Sequence, residues 1–161
     1  MRVALAALVL ALLAGCGFQL RGTAQLPFET LYIPGANPLA VELRRNVKAA
    51  SRTRLVDDPN KAQAVFAFTT EAREKTVLTF TSGGKVNEYR LRYRVGFRVT
   101  DPKGAQVFLP TSEVLLTRDM TYSDAQVIAK ENEEVILYRD MQTDMVQQIM
   151  RRLVTAHPQT E

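Results

Sequence analysis

Four arginines, Arg90, Arg92, Arg94 and Arg98, alternate with Leu91, Tyr93, Val95, Phe97 and Val99. A strand period of two puts the guanidiniums on one sheet face and the apolar side chains on the other. A guanidinium offers planar, paired donors that match phosphate or carboxylate, so the arginine face suits an anionic or polar partner. Arg73 and Lys75 on the preceding strand can join it, and Glu113 on the next can offset part of its charge. The competing reading is an ordinary solvated sheet face.

The remaining candidates for chemistry are weaker. Gly83-Gly84-Lys85 lacks the Walker spacing, because Thr79 stands where the first glycine belongs and Val86 where Ser or Thr belongs; it reads as a hairpin turn. Glu131, Glu133, Glu134, Asp140 and Asp144 trace a solvated helix face, and no second helix supplies His or Glu for a metal site. His157 is the one histidine, in a polar tail beside Pro158, and one cysteine leaves no disulfide or cysteine-rich zinc site. No metal, cofactor or enzymatic activity is expected. Aromatic residues are 7% of the chain, with no Trp, and the net charge is +4, both too little for a dedicated nucleic-acid binder. A 46% hydrophobic content in 161 residues argues for one folded domain and against disorder.

Cys16 is the residue whose position carries the most. Met1-Arg2 gives a positive start, and the apolar run from Val3 to Ala14 is too short to span a hydrocarbon core of about 30 Å. It reads as the h-region of a secretory signal peptide covering residues 1–15. Leu13-Ala14-Gly15-Cys16 resembles the bacterial lipobox, which implies acylation of the cysteine thiol and cleavage before it. Two or more acyl chains anchor a protein stably at roughly 0.8 kcal/mol per buried methylene, with no transmembrane helix. Gly17 replaces the aspartate of the inner-membrane retention signal, which favours an outer-membrane, lipid-anchored location on the periplasmic side.

The elements that must position these residues follow from periodicity and turn signals. Residues 16–28 read as a lipidated lead-in, 29–154 as one α+β domain and 155–161 as a polar tail. Thr30 to Ile33 is a short strand closed by Pro34-Gly35, and Pro38 opens a helix with Leu39, Leu43, Val47 and Ala50 on one face. Ala64 to Phe80 is one long strand, with its alternation changing phase near Thr76. Val86 to Thr100 and Ala105 to Met120 follow, the latter holding Pro110, which belongs at an edge or a bulge. A long helix then runs from Ser123 or Glu131 to Val154, with Val135, Tyr138, Met141, Met145, Ile149 and Leu153 as its stripe. The order β-α-β-β-β-α predicts a two-layer sandwich, two helices on one face of a four-stranded sheet.

Three stretches share one family pattern: Cys16-Gly17-Phe18-Gln19-Leu20-Arg21-Gly22, Asn87-Glu88-Tyr89 and, most specifically, the C-terminal block. That block runs from Ile128-Ala129-Lys130-Glu131-Asn132-Glu133 through Leu137-Tyr138-Arg139-Asp140-Met141 to Gln148-Ile149-Met150-Arg151-Arg152-Leu153. This is a resemblance to the LptE family of LPS-assembly lipoproteins. It implies a lipoprotein that plugs the lumen of the outer-membrane barrel LptD, helps that barrel assemble and assists lipopolysaccharide insertion into the outer leaflet. It also implies lipopolysaccharide binding through basic residues. The lysine of the Ala-Lys block is Lys130; the second basic position falls on Ser82, which carries no charge, and Lys85 is the nearest substitute. The arginine face is no part of the resemblance. A generic envelope scaffold that binds another protein, without lipopolysaccharide, is the alternative, and it would need no Lys130.

Cys16→Ala is expected to abolish acylation and leave the signal segment attached. Acyl labelling and intact mass of the purified protein check this.

Overall fold

A computed structural model of the chain describes residues 25–158. The signal segment, Cys16 and the Cys16–Gly22 block lie outside the described residues. Five strands and two helices run in the order β1 (Thr30–Tyr32), α1 (Pro38–Ala50), β2 (Arg54–Leu55), β3 (Ala64–Phe80), β4 (Val86–Thr100), β5 (Val107–Thr121) and α2 (Val127–Val154). The sheet order is β2-β1-β3-β4-β5, with β1 parallel to both neighbours and β3-β4-β5 an antiparallel meander. The four-stranded expectation is therefore corrected to five. β2 has two residues, too few to show an alternation, and it exists because β1 offers it a backbone edge. Arg54 N–H donates to Glu29 O at 2.9 Å and Val56 N–H to Leu31 O at 3.1 Å. The buried Thr53 hydroxyl adds a bond to Phe28 O at 2.8 Å.

Local chemistry accounts for the helix ends. The Asn37 side chain accepts from Ala40 N–H at 3.0 Å, Pro38 occupies the first turn, and the Ser51 hydroxyl returns to Val47 O at 2.7 Å. α1 buries Leu39, Ala40, Leu43 and Val47 as its spacing predicts. α2 is preceded by a 3-10 turn at Asp124–Gln126, with Ser123 in the capping position but making no side-chain bond. Its stripe is buried from Met141 onward. Val135 is 62% exposed, a correction to the expected core, because the first turns of α2 project past the helix layer's packed region. Leu26 and Phe28 precede β1 and still join the core, Phe28 edge-on to Phe108 at 5.2 Å.

β4 is the centre of the fold. Leu91, Tyr93, Val95, Phe97 and Val99 are fully buried beneath the helices, as the alternation predicts. α2 contacts β4 and β5, while α1 contacts β2 and α2. The Pro110 expectation also holds. β5 is an edge strand, and between the pairs Phe97–Ser112 and Val99–Leu109 it carries one residue more than β4 does.

β3 departs from a simple alternation at Leu78, close to the expected change of phase near Thr76, and also at Thr69, which the sequence pattern does not anticipate. Phe68 pairs with Phe97 and Thr70 with Gly96, so Thr69 has no partner; Thr76 pairs in register with Arg90, and a second bulge falls at Leu78. Ala64, Phe66 and Phe68 face the helices before the first bulge. Glu71, Arg73 and Lys75, opposite Val95, Tyr93 and Leu91, take that side after it. The bulge needs Gly96. A Cβ there would stand 2.5 Å from Thr69 Oγ1 and 3.4 Å from Thr70 Cβ.

Gly96→Ala is expected to cost about 1–3 kcal/mol, and Thr69→Ala in the same chain is expected to recover most of it; urea unfolding of both variants checks the coupling. Phe97→Asp, which places a carboxylate against the stacked Phe66 ring, is expected to cost about 3–5 kcal/mol. Arg98→Asp, on the opposite face, is expected to stay within about 0.5 kcal/mol of the parent. Similar losses in these two would contradict the strand phase.

Candidate functional site

The outer sheet face carries Arg90, Arg92, Arg94 and Arg98 together, as their spacing requires. Two of the four are neutralised. Arg90 makes a forked pair with Asp119 of β5, Nε to Oδ1 at 2.8 Å and Nη2 to Oδ2 at 2.9 Å. This hydrogen bond holds the Asp119 carboxyl below the usual range and raises the Arg90 guanidinium. Arg94 Nη2 donates to Glu74 Oε1 at 2.8 Å. Arg92 and Arg98 are exposed, and among the described residues neither forms an ion pair. Glu113 lies opposite Gly96 on this face without pairing to an arginine. Arg98 also borders a shallow cavity of about 300 Å³ with Thr100, Leu109, Pro110 and Thr111.

Arg73 and Lys75 do not join that face, which corrects the sequence expectation. The Thr69 bulge turns both to the helix side, where they tie the sheet to α2. The Arg73 guanidinium lies 4.6 Å from the Tyr93 ring centre and 5.4 Å from that of Tyr138, and donates to Gln142 Oε1 at 3.1 Å. Lys75 reaches Glu134 at 2.6 Å, and Arg118 of β5 reaches Asp144 at 2.6 Å. The Tyr93 hydroxyl donates to Glu71 at 2.7 Å; burial and this carboxylate push its ionisation well above the usual tyrosine range. Asn37 donates to the other Glu71 oxygen, linking the α1 cap to the same carboxylate. The Tyr138 hydroxyl donates to Glu74 O at 2.9 Å. Sequence reasoning misses this polar rim, because its residues come together only once the bulge has set the phase of β3.

Lys85 and Lys130 lie at the β3–β4 hairpin end of the domain. Ser82-Gly83-Gly84-Lys85 is the hairpin connection, with Gly84 at φ 77° and Gly84 N–H bonded to Thr81 O at 2.9 Å. Lys85 Nζ meets Asp124 at 3.0 Å. Lys130 Nζ donates to Thr121 Oγ1 at 3.0 Å and to Glu133 at 2.8 Å. Lys85 thus engages the segment that joins β5 to α2, and Lys130 the last residue of β5. Lys130 does not project away from the neighbouring acids, as a free anion-binding lysine would; Glu133 holds it, and its side chain is 15% exposed. Exposed apolar side chains share this end, among them Phe80 and Ile128.

His157 is exposed, its Nδ1 2.8 Å from Thr155 O, and among the described residues no three His, Cys, Asp or Glu side chains gather in a metal-binding cluster. No helix among them is long and apolar enough to cross a membrane.

The fold matches known proteins. The solution structure of lipoprotein B from Nitrosomonas europaea superposes with a TM-score of 0.74 at 38% identity, covering 86% of this chain and 90% of that one. A minor lipoprotein from Acinetobacter baumannii shares the fold alone, with a TM-score of 0.68 at 23% identity over 84% of this chain and 99% of that one. These similarities define the class, an α+β lipoprotein domain. Among sequences, the LPS-assembly lipoprotein LptE of Pectobacterium atrosepticum is 30% identical over 154 residues, covering 92% of this chain and 82% of the relative. Its counterpart from Photorhabdus laumondii is 29% identical over 149 residues, covering 89% and 80%. The family model described as LptE, Lipopolysaccharide-assembly, matches residues 28–153, and the chain belongs to that family.

Proposed function

We propose that this chain is an outer-membrane lipoprotein, anchored on the periplasmic side through Cys16, that occupies the lumen of the LptD β-barrel. There it helps the barrel assemble and assists insertion of lipopolysaccharide into the outer leaflet. Family membership across 28–153 carries this reading. Lys130 and Lys85 are the proposed contacts to lipopolysaccharide phosphates, and Arg90, Arg92, Arg94 and Arg98 the face toward the barrel wall.

Three features support this division. The two lysines converge on one segment, Thr121 to Asp124, beside exposed apolar side chains, which suits an amphiphile with anionic groups. Their carboxylate partners, Asp124 and Glu133, are 58% and 44% exposed, so water reaches both pairs. The Lys85–Asp124 pair, exposed on both sides, is worth about 0–1 kcal/mol, little enough for a phosphate with several oxygens to replace the carboxylate. The arginine face is broad, and its half-neutralised charge fits a polar wall better than a single phosphate.

Lys130→Asp with Lys85→Asp is expected to lower lipopolysaccharide binding several-fold in low salt, with the difference shrinking as salt rises, while barrel association persists. Arg92→Asp with Arg94→Asp is expected to weaken barrel association first. Binding to purified lipopolysaccharide and co-purification with the barrel, measured on both double variants, check the assignment. Unchanged glycolipid binding in the lysine variant overturns the lysine site. Loss of barrel binding in that variant alone means the surfaces are exchanged. Barrel association with no lipopolysaccharide binding in the parent protein favours the generic scaffold.

A further inference from the structure

The longest carboxylate-free run of cations in the described chain has no role in the sites above. Between Leu43 and Val56 stand Arg44, Arg45, Lys48, Arg52 and Arg54, with no Asp or Glu among them. Arg44 is occupied, donating to Ile33 O at 3.0 Å and Gly35 O at 2.6 Å. The other four are exposed, and among the described residues none forms an ion pair. Arg45 and Lys48, three residues apart, share the exposed side of α1 opposite Leu43 and Val47. That line continues past the Ser51 cap into Arg52. Arg52 and Arg54 flank the buried Thr53, so both extend to the side away from the core. Lys85, Lys130, Arg90 and Arg94 each have a carboxylate; this group has none, and its charge is available to an outside partner.

Its position names the partner. A cleft of about 610 Å³ is lined by Arg52 and Arg54 together with Gln25, Pro27, Glu29 and Gln63. Glu29 is its single carboxylate, with its backbone N–H bonded to Gln63 at 2.7 Å. Past β2, Asp57 is exposed and forms no ion pair among the described residues, and Asp58 is engaged by Asn60 and Lys61. The lead-in from Cys16 therefore enters the fold along the basic group. Eight residues lie between Cys16 and Gln25, a reach of at most about 30 Å when fully extended and less in any other conformation.

We propose that Arg45, Lys48, Arg52 and Arg54 form a contact site for anionic phospholipid headgroups of the leaflet that carries the anchor. The site orients the anchor-bearing end of the domain against the bilayer. The proposal rests on Cys16 as the anchored residue, because the tether brings this end to the surface. Each cation held near an anionic surface raises partitioning by roughly fivefold. The shared chemistry, phosphate, is also offered by lipopolysaccharide, and the test separates the two.

The buried side chains of the described core lie between Phe28 and Ala156, so a chain from Gly17 to Glu161 keeps them all. This chain is expected to co-sediment with phosphatidylethanolamine vesicles containing phosphatidylglycerol, and not with phosphatidylcholine vesicles. Binding is expected to fall with salt. Arg52→Ala with Arg54→Ala should lower it roughly 25-fold, while Arg139→Ala, at an exposed cation of α2, leaves it unchanged. Equal binding to both vesicle types, an unaffected arginine variant, or a loss confined to lipopolysaccharide micelles would overturn the proposal. The full lipidated protein in nanodiscs gives a second readout that needs no truncation. Lys48 is expected to be protected from an amine-acylating reagent in anionic discs and open in neutral ones, with exposed Lys103 as reference; equal labelling in both overturns the site. Failure of the anchor reading itself is seen separately, as a mature protein without acyl mass.

Discussion

The pairing of Phe68 with Phe97 and then Thr70 with Gly96 leaves Thr69 unmatched and reverses the inward and outward positions of β3 beyond it. Everything that ties the middle of this long strand to α2 depends on the reversal. Without it, Arg73 and Lys75 would stand with the arginines of β4, and Glu71 would leave the Tyr93 hydroxyl without an acceptor. The space for the bulge comes from one missing side chain, at Gly96, where a Cβ would stand 2.5 Å from Thr69 Oγ1. Steric exclusion at one contact, between position 96 and the Thr69 hydroxyl, thus decides which charges face the helices and which face outward.

The apolar core and the polar rim make different contributions. Burial of side chains such as Phe66, Phe97, Leu91, Met141 and Ile149 supplies the driving force, about 1.5–3 kcal/mol for each. The ion pairs from Lys75 to Glu134 and from Arg118 to Asp144 are partly exposed and worth about 0–1 kcal/mol apiece. Their contribution is one of register. They fix how α2 sits along β3 and β5, because sliding the helix would separate several partners at once. The Arg73 guanidinium between Tyr93 and Tyr138, with Gln142 beyond, serves the same end.

Charge is distributed unevenly over the domain. At the hairpin end Lys85 and Lys130 already hold carboxylates, so an anionic ligand must exchange with them, and affinity there is set by a difference between two sets of contacts. On the outer face Arg90 and Arg94 are held by Asp119 and Glu74, which leaves Arg92 and Arg98 as its free donors. The α1–β2 end is unpaired throughout, from Arg45 to Arg54. A partner that meets the paired regions replaces existing bonds, whereas one that meets the α1–β2 end only sheds water and counterions.

Much of this was legible in the sequence. Signals of period two and period 3.6 are local, so β4, α1 and the extent of β3 followed from them, as did the burial of Leu91 to Val99. The C-terminal block from Ile128 to Leu153 also carried the family resemblance that the match over 28–153 bears out. Local signals cannot report a partner distant in the chain. β2 required the edge of β1, the phase of Glu71, Arg73 and Lys75 required Gly96 across the ladder, and the exposure of Val135 required knowing where the helix layer ends. Whether a lysine is free is likewise a tertiary fact: Lys85 finds Asp124 across a hairpin. Residue type and spacing determined the elements and their faces, while the ion pairs and the strand phase were decided by contacts between segments that only folding brings together.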